Sequence, residues 1–144
     1  MTKKQYEIAK ETITQVNNYF ETDCRIKSRK TNIVRPRMYA CKIIKELTGA
    51  SLQDIGDLFP DCWKGNKTHS NVIHSIKTVD SDLETNRKYK SYYIELRAII
   101  EATDVYKNSK LIRKNIISDV RREFYNVIME KDIHELQQIL NTIR

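Results

Sequence analysis

The sequence predicts an all-α protein, and three observations carry that expectation. Glycine and proline number only three and two in 144 residues, so few positions interrupt a helix. Between those breaks apolar residues recur every three or four positions, the period of a helix with one buried side. Apolar residues make up 40% of the chain and charged ones 31%, a balance that supports a core and argues against disorder.

A first helix is expected from about Lys3 to Phe20, with Ile8, Ile13, Val16 and Tyr19 on its buried side. A polar, basic loop follows to about Ile33. The second helix is expected to open at Arg35-Pro36-Arg37, because proline suits a first turn, and to run to Gly49. Tyr39, Ala40, Ile43, Ile44 and Leu47 share its inner face.

Ser51 reads as the N-cap of a short third helix through Leu52, Ile55, Leu58 and Phe59, with Asp54 as a capping-box-like partner. Pro60 closes it. A fourth helix is expected from near Thr68, with Val72, Ile76, Val79 and Leu83 along one stripe. Ser70, His74 and Lys77 face the other way, and Asn71 lies to one side. The fifth runs from about Arg87 to Ala102 and carries Tyr89, Tyr93, Leu96 and Ile100.

Beyond Asp104, segments at roughly 109–131 and 132–143 repeat apolar residues in a 3-4 alternation and read as a helical hairpin or a coiled-coil partner. The expected division is a domain over 1–103 and a helical extension over 104–144.

No apolar run approaches the roughly 20 residues a membrane span requires, and the polar N-terminus has no secretory h-region. A cytoplasmic protein is expected. Cys24, Cys41 and Cys62 are odd in number and read as reduced thiols.

The positive charge is concentrated. Residues 25–79 hold eleven bases against four acids, and Arg25 to Lys45 contains no acid at all. Cations clustered around turns and a helix start suit a polyanion, because each phosphate they neutralise releases condensed counterions.

Chemistry beyond binding is not indicated. Gly65-Asn66-Lys67-Thr68 only approximates a phosphate-binding loop, since no glycine stands five residues before Gly65. Cys62, His69 and His74 do not make a zinc site: histidines five apart diverge around a helix, and no fourth ligand is near. No nucleophile elbow occurs. Neither an enzyme nor a cofactor is expected.

A short helix, a turn and a longer helix with a polar N-terminal face form a helix-turn-helix pattern. Lys27-Ser28-Arg29-Lys30, Ile33-Val34-Arg35-Pro36-Arg37, Glu46-Leu47-Thr48, Ser51-Leu52 with Ile55-Gly56 and Phe59, and Thr68 to His74 carry a further signal. Together they resemble the C-terminal DNA-binding domain of the bacterial replication initiator DnaA, over roughly residues 5 to 100.

The resemblance implies an all-helical domain that reads a duplex in the major groove while its basic loop reaches the minor groove. It makes Thr68, His69, Ser70 and Asn71 the base-reading positions. Lys27, Arg29, Lys30, Arg35, Arg37, Lys67, His74 and Lys77 become backbone contacts. Thr31, Met38, Thr68 and Asn71 depart from the family's usual residues, which changes the donors and acceptors offered to a base edge. The implied partner is double-stranded DNA, in replication or its regulation. The 104–144 extension is a candidate surface for a homodimer or a partner protein, and an interaction module built on those helices is the competing function. Trp63, in a longer connector than the family's tight turn, is expected to pack.

Overall fold

A computed structural model describes residues 1–63 and 68–109, with 121–124, 126, 135, 137 and 138. Contacts divide the chain into Met1–Lys107 and Asn108–Arg144. The expected C-terminal hairpin lies largely outside the described residues, and the fold below is that of the first unit.

Five helices make up this unit: α1 (Lys3–Phe20), α2 (Thr31–Thr48), α3 (Leu52–Asp57), α4 (Thr68–Thr85) and α5 (Arg87–Glu101). No strand occurs among the described residues. α1 opens with a capping box: the Gln5 amide donates to the Thr2 hydroxyl at 3.2 Å and the Thr2 amide to the Gln5 carboxamide oxygen at 2.8 Å. Gln5 also donates to the Thr48 carbonyl at 2.9 Å, tying the start of α1 to the end of α2.

α2 starts four residues before the expected Arg35, so Pro36 lies inside the helix. Its missing N–H removes one helical hydrogen bond. The first turn nevertheless closes, because Ile33 and Val34 both donate to the Lys30 carbonyl, and Pro36 itself is buried. Gly49 ends the helix at φ 66°, a left-handed conformation that favours glycine.

Ser51 caps α3 as expected, accepting from the Asp54 amide at 3.1 Å. The Asp54 carboxylate does not complete a capping box; it lies 3.1 Å from the Met1 amino group. α3 stops at Asp57, and Leu58 and Phe59 continue as a tighter turn on the Ile55 and Gly56 carbonyls.

The core joins Ala9, Ile13 and Val16 of α1 to Tyr39, Ala40, Ile43 and Ile44 of α2, with Ile55, Phe59, Val72, Val79, Leu96 and Ile100. Helix α2 packs on α1, α3 and α4, and α5 closes against α1 and α4. Tyr19, Leu47, Ile76, Leu83, Tyr89 and Tyr93 are half-buried at its margin. The polar starts of α2 and α4 are thus held on a fixed scaffold.

Candidate nucleic-acid interface

Helix α4 turns Val72, Ser75 and Val79 inward. His69, Ser70, His74 and Lys77 are exposed, and Asn71 is half-buried. Thr68 is half-buried too, because α3 crosses the helix there without a side chain between them: a Cβ on Gly56 would fall 2.0 Å from the Thr68 methyl carbon. Thr68 therefore packs at the helix-turn-helix crossing, and the open positions begin at His69. Lys67 lies outside the described residues.

The α1–α2 loop is pinned through its backbone. The Asn17 carboxamide accepts from the Cys24 amide at 2.9 Å. Arg37 donates from Nε to the Cys24 carbonyl at 2.8 Å and from Nη2 to the Ile26 carbonyl at 2.6 Å. The Cys62 thiol meets the Arg25 carbonyl at 3.2 Å. These anchors leave Lys27, Arg29 and Lys30 exposed, with no ion-pair partner among the described residues.

Two arginines expected at the phosphate backbone also make contacts within the fold. Arg37 is only 4% exposed and holds the loop. Arg35 is paired with Asp82, and its guanidinium lies 4.1 Å from the centre of the Tyr89 ring, which joins α2 to α4 and α5. Lys42 is paired with Glu46 at 2.8 Å and with Asp80, and Lys45 donates to the Ala50 carbonyl at 2.7 Å. The acid-free run from Arg25 to Lys45 is thus partly neutralised by carboxylates at 80 and 82, far away in sequence.

Glu46 is the hub of that structural charge network. It accepts from Tyr93 and from Arg97 at 2.5 Å, besides Lys42. Burial alone would raise its carboxyl pKa, but the hydrogen bonds from Lys42 and Tyr93 and the charges of Lys42 and Arg97 outweigh burial and lower it.

A cleft of about 430 Å³ opens between the loop, α2 and α4, with Arg29 and His74 at exposed positions and Arg37 recessed. Trp63 forms part of its wall. As expected it packs, its ring centre 5.6 Å from that of Phe59.

All three cysteines are free thiols. Burial pushes Cys24 up to about 12 and raises Cys41 and Cys62 as well. No cluster of three or more metal-ligating side chains occurs among the described residues. Likewise, no helix among them is long and apolar enough to cross a membrane.

Residues 5–79 match the family described as the bacterial dnaA protein helix-turn-helix. A chromosomal replication initiator protein DnaA of Lactobacillus helveticus is 37% identical over 89 residues, 60% of this chain and 18% of that protein. The protein of that name from Laribacter hongkongensis is 38% identical over 80 residues, 53% of this chain and 16% of its own length. The one from Flavobacterium psychrophilum is 34% identical over 80 residues, 54% and 16% of the two chains. The chain thus spans less than a fifth of these relatives. No solved structure matches it. With the family match covering α3, its crossing at Gly56 and the exposed start of α4, the chain belongs to the helix-turn-helix family of bacterial DnaA proteins.

Proposed function

We propose that the chain binds double-stranded DNA, with the first turns of α4 in the major groove and the α1–α2 loop on the flanking strand. The observation that carries this reading is an exposed polar helix start beside three exposed loop cations that have no acidic partner among the described residues. Imidazole, hydroxyl and carboxamide groups at His69, Ser70 and Asn71 offer donors and acceptors to base edges. Lys27, Arg29, Lys30, His74 and Lys77 take phosphates, and Lys67 precedes the same helix in sequence. Thr68 sets the depth of α4 through its seat on Gly56. Arg37 acts by holding the loop.

The names of the relatives support a place in chromosomal replication initiation. The sequence has no glycine-rich phosphate loop, so binding rather than catalysis is the proposed activity.

The test is fluorescence anisotropy with two labelled duplexes, one carrying the family's box and one scrambled, titrated across salt. Tighter binding to the box supports both DNA binding and base reading. Equal binding with a steep salt slope keeps DNA binding but moves the target to another sequence. No binding at low salt overturns the reading.

A further inference from the structure

We propose that the cleft between the α1–α2 loop and α4 is a nucleotide site, taking the phosphate and base of one unstacked nucleotide. It rests on the same surface as the proposed duplex reading, since Arg29, Asn71 and His74 belong to both, and adds to it the recessed Arg37 and the Trp63 wall. The cleft, at about 430 Å³, falls within the range of small-molecule sites.

Its recess holds a buried cation. Arg37 is 4% exposed, and while Nε and Nη2 are satisfied by loop carbonyls, Nη1 has no hydrogen-bond partner among the described residues. Among the described residues no carboxylate lines the cleft to neutralise that charge, and Arg29 and His74 add an exposed cation and an imidazole. A guanidinium so placed, with an open N–H, suits a phosphate group.

The rest of the lining requires more than a phosphate. Val34, Met38 and Trp63 supply an apolar wall, and the Arg37 guanidinium lies 6.0 Å from the centre of the indole ring. Indole and guanidinium side by side match a flat heterocycle joined to an anion. A duplex does not present both together, because its bases are stacked inside while its phosphates face out. An unstacked nucleotide does, whether free or within a single strand.

Trp63 is the chain's one tryptophan, so its emission reports directly on the cleft. Thymidine monophosphate and a short oligothymidylate are titrated separately into the DNA-free protein. A saturable change with the monophosphate identifies a free nucleotide as the occupant; a change with the oligonucleotide alone identifies a single strand. Either supports the proposal if thymidine and inorganic phosphate bind at least about tenfold more weakly, and if Arg29→Ala and His74→Ala each shift the midpoint several-fold to about tenfold. Arg37→Lys, with folding checked by circular dichroism, is expected to weaken binding further.

No saturable change with either probe overturns the site, as does a change seen only with duplex DNA or midpoints that both mouth variants leave unmoved. Duplex anisotropy separates the two readings: its loss beside an intact thymidylate response rejects duplex binding and leaves the cleft standing.

Discussion

Arg37 Nε donates to the carbonyl of Cys24 at 2.8 Å, so one buried side chain of α2 fixes the start of a loop thirteen residues earlier in sequence. Arg37→Met removes this bond and the second one to Ile26, and leaves two carbonyls without their charged donor. The expected loss is about 2–4 kcal/mol of unfolding free energy, read from urea denaturation. A loss below about 0.5 kcal/mol, the scale of an ordinary surface substitution, contradicts the anchoring role.

Gly56→Ala places a Cβ against the Thr68 methyl, at 2.0 Å in the undisturbed geometry. The Thr68 side chain or helix α4 itself has to shift, and a cost of about 1–3 kcal/mol is expected. Thr68→Ser removes that methyl, so the double variant is expected to recover part of the loss, a non-additivity that a double-mutant cycle measures. Simple addition of the two effects contradicts the contact.

Lys27→Ala is expected to weaken every duplex alike and to reduce the salt slope by about one. Asn71→Ala is expected instead to narrow the gap between box and scrambled sequence, leaving the slope unchanged. Identical effects in the two variants remove the division between backbone and base contacts.

Folding lowers the Glu46 pKa despite burial, so the fold stabilises the ionised form. Its contribution is complete above the ordinary glutamate value and is lost as pH falls through the lower folded value. Glu46→Gln is expected to cost stability at neutral pH and to flatten the decline in acid, as followed by thermal melts from neutral pH downward. An unchanged acid limb rules Glu46 out as a contributor.

In the native protein Cys62 is expected to react first with an aromatic disulfide reagent, and slowly. It is half-exposed, whereas Cys24 and Cys41 are buried, and burial disfavours the reactive thiolate of all three. Timed absorbance gives one early equivalent and two more on unfolding. Three equivalents released together contradict the burial.

The helices were legible because their apolar spacing and breaks are local. Lys3–Phe20 is bounded as its pattern predicts, and Ser51 caps α3 as a serine before an apolar run does. The start of α2 was not legible, since the preference for proline in a first turn concealed a turn formed ahead of Pro36. A similar limit applies to the interface. The exposed side of α4 follows from helical period, but the engagement of Arg35 by Asp82 and of Lys42 by Asp80 depends on helix packing across about forty residues. A charge count along the chain sees only the cations. Arg37 gave no local sign either, because its partners are backbone carbonyls, which every residue carries.

The anchored loop also bears on how association proceeds. With the amide of Cys24 and the carbonyls of Cys24, Arg25 and Ile26 already held, little backbone freedom remains to be lost when Lys27, Arg29 and Lys30 meet a polyanion. On the proposed reading, encounter is expected to be governed by long-range attraction and completed without a slow ordering step. Association of the intact protein is expected to be fast and strongly salt-dependent, and loosening the anchors transfers the cost to a slower step after first contact.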